Sequence, residues 1–217
     1  MDSDAYVKKF LDFFNQAGAQ AIRYQFTLYN EKMRSLLDNR SLLIFGSKGD
    51  HLKVMCADKP RLYRQLKLHK PGHPIWSVVA FYKHPSFKVA KFLSKWFPNV
   101  SGFLPKHVIK NSLELTNNLN TKSFPPGSIL FSIDAVAMFT QIPVGYTISI
   151  MVSILRNKLI HEDVIEEFET IINHCLKDNI CLFRNRTHRF PGGLPMGGPH
   201  FALVAEVFMS HLEDSIL

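Results

Sequence analysis

The chain contains an apolar segment, Ile129-Leu130-Phe131-Ser132-Ile133-Asp134, which follows a break at Pro125-Pro126-Gly127. The Ile, Leu and Phe residues predict a buried strand, and that strand ends in a carboxylate. An acid in this position is costly unless a metal, a cation or a capping interaction compensates it. Asp134 is therefore either a ligand of a hard cation such as Mg²⁺ or a helix-cap or turn residue.

The residues on both sides of this segment predict helices that alternate with short strands. Helical spacing of apolar residues occurs at 4–38 (with an interruption at Gly18), 88–97, 107–120, 144–159, 163–177 and from 201 onward. Strand patterns occur at 76–82 and, as a hairpin, at 180–183 and 187–190. The sequence thus predicts an α+β fold with an N-terminal helical region (1–58), a basic region (59–127) and a C-terminal region (128–217).

The charge of the chain is unevenly distributed. The net charge is +8, but residues 51–110 carry 12 Lys/Arg and one acid, Asp58, whereas residues 111–217 carry 7 Lys/Arg and 11 acids. A basic block of this size indicates a surface that binds a polyanion such as nucleic acid. The alternative is a solvated lysine-rich face that binds nothing in particular.

Motifs and residue counts exclude several classes of protein. Three scattered cysteines do not make a secreted disulfide framework, and the acidic N-terminus lacks a signal-peptide pattern, so we expect an intracellular protein. No apolar run reaches the ~18 residues of a membrane span. The histidines and cysteines do not show the spacing of a zinc site. Neither a nucleotide-binding phosphate loop nor a nucleophile elbow is present.

A glycine-rich loop, residues 191–199, precedes the last predicted helix. Glycines before a helix let the backbone approach a ligand closely and let N–H groups point towards it. A plain connection between a hairpin and a helix would have the same composition, so the loop alone does not distinguish the two.

Four stretches of the sequence, in order, resemble a reverse transcriptase of the Penelope-like retroelement type. The first two resemble motifs of the family's fingers, and the last two resemble the first and second motifs of its palm. They are Tyr63-Arg64-Gln65-Leu66-Lys67-Leu68-His69-Lys70-Pro71-Gly72; His73-Pro74-Ile75-Trp76-Ser77 with Pro85-Ser86-Phe87-Lys88-Val89-Ala90-Lys91-Phe92-Leu93; Phe131-Ser132-Ile133-Asp134-Ala135-Val136-Ala137-Met138-Phe139-Thr140-Gln141-Ile142-Pro143; and Gly193-Leu194-Pro195-Met196-Gly197-Gly198-Pro199 with Ala205-Glu206-Val207-Phe208-Met209 and Leu212-Glu213. Together they cover about two thirds of the chain, from 61 to 213.

The resemblance implies a partial right-hand polymerase fold. The basic region would form the fingers, and residues 128–217 would form an incomplete palm, which is part of the reverse transcriptase domain. The implied reaction is RNA-templated DNA synthesis, in which two Mg²⁺ ions assist the attack of a primer 3′-hydroxyl on an incoming dNTP. The implied partners are an RNA template and a DNA primer, with no membrane. A functional element product would act in the nucleus.

Roles for individual residues follow from the same resemblance. Asp134 would be the catalytic metal ligand, the carbonyl of Ala135 a second ligand, and Phe139 a steric gate against a ribose 2′-hydroxyl. The nucleotide and template pocket would be lined by Pro195, Met196, Gly197 and Gly198. Template phosphates would be neutralised by Lys67, Lys70, Lys88, Lys91 and Lys95. Trp76, Tyr82 and Phe87 would either stack on bases or pack in the core.

The sequence also departs from the family pattern. The third palm motif, an aromatic-x-Asp-Asp hairpin, does not occur, and the 217 residues contain no Asp-Asp pair. His73 stands where the family has an arginine that contacts the triphosphate, and an imidazole is a poor substitute for a bidentate guanidinium. Glu213 and Asp214 have the pattern of solvated helix-end acids. We therefore expect a truncated fragment that is inactive alone. The alternative is a non-catalytic nucleic-acid-binding remnant or a pseudogene product.

Overall fold

The computed structural model describes residues 3–38, 43–66, 75–129, 131–135, 138–177 and 179–216. The helices in these ranges are α1 (Ser3–Gln16), α2 (Phe26–Asp38), α3 (Gly49–Leu52), α4 (Phe87–Ser101), α5 (Ser112–Asn120), α6 (Met138–Gln141), α7 (Val144–Asn157), α8 (Glu162–Lys177) and α9 (Phe201–Ile216). The strands are β1 (Gln20–Ile22), β2 (Arg61–Leu66), β3 (Ile75–Ala80), β4 (Ile180–Phe183) and β5 (Arg186–Arg189). The α+β class predicted from the sequence is therefore confirmed.

The five strands form one mixed sheet in the order β1-β5-β4-β2-β3. Three neighbouring pairs are antiparallel, and β2 runs parallel to β4 through the pair Arg61↔Leu182. The amide of Leu182 also donates a hydrogen bond to the carbonyl of Pro60 at 2.7 Å. The sheet thus joins strands from all three of the regions that the sequence delimits.

The hairpin predicted around residues 184–186 is confirmed as β4 and β5. Its two loop residues, Arg184 and Asn185, have φ angles of +47° and +59°. Positive φ at both central positions is typical of the turn that matches the right-handed twist of the flanking strands. Asparagine tolerates this conformation well, whereas arginine adopts it at a steric cost.

The helices bury their apolar faces against one continuous core. Helix α1 places Phe10 and Phe14 on the sheet, where their ring centroids lie 4.6 and 5.6 Å from that of Phe183. Helix α7 packs against both α8 and α9, and Phe168 of α8 is fully buried. The rings of Phe97 from α4 and of Phe168 stack at a centroid distance of 5.6 Å. This packing holds the loops between the elements in fixed positions.

The predicted strand at 129–134 is wrong. Its apolar residues Ile129, Phe131 and Ile133 are 85%, 82% and 86% exposed, and residues 131–135 form no helix or strand and pair with none of the five strands. Such a run is buried only when strands pair with it on a covered sheet face. At the β3 edge of the sheet, the amide of Val79 already donates to the glycine-rich loop. No strand of the described residues therefore pairs with the segment 129–134.

The interruption predicted at Gly18 is confirmed, because residues 4–38 form the two helices α1 and α2. Gly18 has φ +63° in the turn that follows α1. Strand β1 then pairs with β5 before α2 begins. Helix α5 is confirmed within the predicted range 107–120, but none of its residues is buried. Among the described helices, none is long and apolar enough to cross a membrane.

The three cysteines differ sharply in access, which gives a direct test of the fold. Cys56 is exposed, whereas Cys175 and Cys181 are buried as free thiols. Burial raises the pKa of both buried thiols to about 12, so they carry almost no reactive thiolate at neutral pH. A colorimetric thiol reagent at pH 7.5 should therefore modify one thiol per native chain and three after denaturation in guanidinium chloride. Rapid modification of two or three thiols in the native chain would contradict this packing.

Candidate functional site

At the glycine-rich loop, two of the motif stretches meet each other and strand β3. The amide of Leu194 donates to the carbonyl of Phe139 in α6 at 2.7 Å, and the amide of Val79 in β3 donates to the carbonyl of Met196 at 2.8 Å. The side-chain amide of the buried Asn179 donates to the carbonyl of Gly193 at 3.0 Å. The loop therefore ties the palm-like stretch that ends at Pro143 to a strand of the fingers-like region. We call this arrangement of 193–197, Phe139–Thr140 and Val79 the loop junction.

Two glycines of the loop junction leave no space for a side chain. A Cβ atom on Gly193 would lie 2.2 Å from the carbonyl oxygen of Thr140, and one on Gly197 would lie 2.1 Å from that of Val79. Both residues also have positive φ angles, +64° and +123°. The glycines are thus needed for close approach of backbone to backbone. This requirement distinguishes the loop from a plain connection, but it concerns packing between segments and not contact with a ligand.

The residues to which the sequence assigned chemistry differ in their accessibility. Asp134 and Ala135 are exposed, Phe139 is half-buried against the core, and Pro195 is buried. Met196 and Gly198 are half-buried, and Gly197 is exposed. Asp134 lies in the exposed segment 131–135, which is not part of the sheet. Its carboxylate makes no hydrogen bond or ion pair with any described residue.

The magnesium-binding role that the resemblance gives to Asp134 stays a prediction. Mg²⁺ in polymerase-type sites is held by one or two carboxylates together with substrate phosphates, and a two-metal site needs carboxylates that both ions share. Within the described ranges, no group of three or more His, Cys, Asp or Glu side chains is placed to hold a metal ion. Asp134 is the one carboxylate among residues 131–135.

The five predicted phosphate-binding lysines fall into three groups. Lys67 and Lys70 lie outside the described residues. Lys88 donates from its Nζ to the carbonyls of His51 and Lys53, at 3.1 and 2.9 Å, so it is engaged in holding the chain before β2. Lys91 and Lys95 lie one turn apart on α4, opposite its buried face, and both are exposed. Neither forms an ion pair with a described residue, so both are available to an anion.

Other cations of the basic block of residues 51–110 are partly neutralised. Lys53 is paired with Asp38 and Asp50, and Lys106 donates to both carboxylate oxygens of Asp214 at 3.0 Å. The hydrogen bond from Lys106 lowers the pKa of Asp214, with a smaller contribution from His107. Asp214 is therefore an ion-paired acid on α9 and not a freely solvated one. The anion-binding capacity of the described basic region rests on the lysines without such partners.

An exposed aromatic residue stands beside several cations at the end of β3. Tyr82 is 63% exposed, and it lines a cavity of about 190 Å³ with Lys59, Arg61, Lys83, Asp58 and Ala80. Of the other aromatic candidates, Phe87 is half-buried and packs on the core, and the side chain of Trp76 lies outside the described part of the chain. Sequence reasoning left Tyr82 between stacking and core packing, and its exposure excludes the core.

Two buried histidines have no counterpart in the sequence predictions. His84 and His200 are 0% and 1% exposed, and burial lowers the pKa of each to about 3, so both are neutral. His84 Nδ1 lies 2.7 Å from the hydroxyl of Ser86. Among the described residues, His84 Nε2 and both ring nitrogens of His200 have no hydrogen-bond partner. Each of these histidines lies in a loop beside an aromatic or apolar residue. This pattern alone does not predict that the imidazole ring is buried.

The sequence was compared with known protein families and with curated proteins. No protein family matches the chain, and no curated protein matches it.

Proposed function

We propose that this chain is the fingers and part of the palm of a reverse-transcriptase-type polymerase, and that it binds nucleic acid without adding nucleotides by itself. The observation that supports this best is the loop junction. Two stretches that resemble palm motifs are hydrogen-bonded to each other there, and one of them is also hydrogen-bonded to β3. Motifs that belong to one site in a polymerase are expected to meet in this way.

The basic region supports the nucleic-acid-binding part of the proposal. Residues 51–110 have a net charge of +11 from 12 Lys/Arg against Asp58, and Lys91 and Lys95 project from one exposed face of α4. Clustered cations bind nucleic acid by neutralising phosphates and releasing counterions, which makes the affinity fall with salt. The solvated lysine-rich face remains the competing interpretation, and a salt titration separates the two.

The absence of an aromatic-x-Asp-Asp motif from the 217 residues supports the non-catalytic part. In the intact family, Mg²⁺ would stabilise the attacking and leaving oxygens, and Asp134 would be one of its ligands. The sequence contains no Asp-Asp pair, and no cluster of metal-binding side chains forms among the described residues. We therefore assign no metal-dependent step to this chain alone.

Neutralising Lys91 and Lys95 together should weaken nucleic-acid binding and flatten its salt dependence. Each phosphate contact to a single strand contributes about −0.7 to the slope of log K against log salt, so the double variant Lys91→Gln/Lys95→Gln should reduce the slope by about 1.4. The measurement is fluorescence anisotropy of a labelled single-stranded RNA at four salt concentrations between 50 and 200 mM.

The matched control is Lys122→Gln/Lys158→Gln, which removes the same charge from two exposed lysines outside the basic block of residues 51–110. The control should keep the wild-type slope. A salt-independent affinity of the wild-type chain, or equal losses in the two double variants, would favour the solvated face over a binding surface.

The chain should show no primer extension with an RNA template, a DNA primer, dNTPs and Mg²⁺. Template-dependent incorporation that disappears in Asp134→Asn would show that this chain does catalyse, and the non-catalytic part of the proposal would then be wrong. The nucleic-acid-binding part would be unaffected by that result.

A further inference from the structure

Tyr82 lies two residues after the end of β3, and its ring is exposed beside the cavity of about 190 Å³. Its backbone neighbour Lys83 fixes the position, because the carbonyl of Lys83 accepts a hydrogen bond from the amide of Asp58 at 2.9 Å. Asp58 in turn accepts a hydrogen bond from the amide of Lys59 at 2.7 Å through its Oδ1. The segments before β2 and after β3 are thus held together by hydrogen bonds. The Tyr82 ring lies where these two segments meet.

The charge around the ring is positive although an acid is present. Lys59, Arg61 and Lys83 line the cavity together with Asp58. The carboxylate of Asp58 is engaged by the amide of Lys59, and its Oδ2 lies 3.8 Å from the guanidinium of Arg61. Asp58 therefore holds the segment before β2 in place and compensates the charge of one of the three cations. The remaining positive charge is available to an anion that enters the cavity.

The Tyr82 ring is accessible for stacking against a planar ligand. Lys83 Nζ lies 5.9 Å from the centroid of the Tyr82 ring, at the outer limit of a cation–π contact, and the ring stays 63% exposed. An exposed aromatic ring flanked by cations is the combination that single-strand binding proteins use, since bases stack on the ring and phosphates contact the cations. A double-stranded ligand would not present a free base face to it.

We propose that Tyr82 stacks on one base of a single-stranded nucleic acid while Lys83, Lys59 and Arg61 contact the adjoining phosphates. The inference rests on the proposed nucleic-acid-binding function and adds the ligand class, a single strand, and the contact, a base face. It assigns no role to Asp134 or to the loop junction.

The test compares a labelled 12-nucleotide single-stranded RNA with a base-free (abasic) strand of equal length. Tyr82→Ala should weaken binding of the base-bearing strand by about 5- to 150-fold, the range for loss of one stacked base, and should leave the abasic strand unchanged. Tyr82→Phe should bind like the wild type, because the ring is kept. Lys83→Gln should weaken both strands and lower the salt slope by about 0.7.

A matched control is Tyr146→Ala, which removes a tyrosine of comparable exposure (54%) from α7. Tyr146→Ala should bind both strands as the wild type does. In a separate variant, Tyr82→Trp, the base-bearing strand should quench tryptophan fluorescence beyond the change seen with wild-type protein, which contains Trp76 and Trp96.

The outcomes separate the two proposals. If the wild type binds with a steep salt dependence but Tyr82→Ala loses nothing, or loses equally on both strands, the stacking contact is wrong and the proposed function stands. If the wild type binds neither strand in a salt-dependent way, the proposed function is wrong, and the stacking contact is wrong with it.

Discussion

Replacing Gly197 with alanine is expected to lower the free energy of unfolding by about 3–5 kcal/mol, which places it among the most destabilising single substitutions. The new Cβ would lie 2.1 Å from the carbonyl oxygen of Val79, and the position has φ +123°. The neighbouring carbonyl belongs to β3, so relief of the clash requires the loop to move away from the sheet. That movement would break the 2.8 Å hydrogen bond from Val79 to Met196. Urea unfolding followed by tryptophan fluorescence measures the change.

A second variant and a control keep this expectation specific. Gly193→Ala should be similarly destabilising, since its Cβ would lie 2.2 Å from the carbonyl oxygen of Thr140 at φ +64°. Gly192→Ala, in the same loop, adds a methyl group with no atom within 4 Å and should change stability by less than about 0.5 kcal/mol. Equal effects of all three substitutions would mean that the loop junction does not depend on the close backbone contacts.

The fold was predictable where local pattern and burial agree. Helix α8 has acids in its first turn, Lys177 at its end and a continuous apolar face that includes Ile165 and Phe168, and the sequence located it within about one residue. The β4–β5 hairpin was predicted from two short strand patterns, 180–183 and 187–190, that flank Arg184-Asn185-Arg186. In both cases the residues that form the element also determine where it packs.

The sequence failed where a partner segment decides the outcome. The apolar alternation at 129–134 has the pattern of a buried strand, but burial requires a neighbouring strand that pattern alone does not guarantee. Strand β1 was missed for the converse reason, because three residues acquire strand geometry only through pairing with β5. Tertiary contacts override local propensity in both segments.

The candidate site shows the same division. Composition located the glycine-rich loop, but its close contacts with Thr140 and Val79 depend on distant segments. Charge counting identified the basic region without distinguishing Lys88, which holds two backbone carbonyls, from Lys91 and Lys95, which are exposed. The exposure of Tyr82 depends on how the ends of β2 and β3 meet, and no local pattern records that. The resemblance to a reverse transcriptase stays a proposal that binding and extension assays can test.

Acidification from pH 7.5 to pH 5 is expected to lower the free energy of unfolding by about 4 kcal/mol through His84 and His200. Their pKa is about 3 in the folded chain and 6.5 when solvated, so the unfolded chain binds protons at pH 5 that the folded chain does not. Each histidine contributes about 1.5 pH units at 1.36 kcal/mol, or about 2 kcal/mol. This stabilisation is fully present above pH 6.5 and is lost as the pH falls towards 3. His188, whose pKa burial also lowers, acts in the same direction.

The surroundings of the two histidines and the chosen pH window make this expectation specific. His84 packs against the ring of Tyr29 at 5.1 Å, and the positive charges of His200 and His174 would add to the cost of protonating it. The lowered pKa values of Asp214 and Glu162 act only below their ordinary values of 3.8 and 4.5, so these carboxylates contribute little above pH 5. The pH dependence between 7.5 and 5 therefore reports on histidines.

Replacing His200 with leucine should remove about half of this pH dependence, about 2 kcal/mol, and should not destabilise the chain at pH 7.5. Both ring nitrogens of His200 lack a hydrogen-bond partner among the described residues, so an apolar side chain of similar size removes two buried unsatisfied groups. The control His51→Gln, at an exposed histidine, should keep the full pH dependence. Urea unfolding at pH 7.5, 6 and 5 measures all three proteins. An unchanged pH dependence in His200→Leu would mean that His200 is protonated as readily in the folded chain as in the unfolded one, and hence that it is not buried in the core beside Phe201.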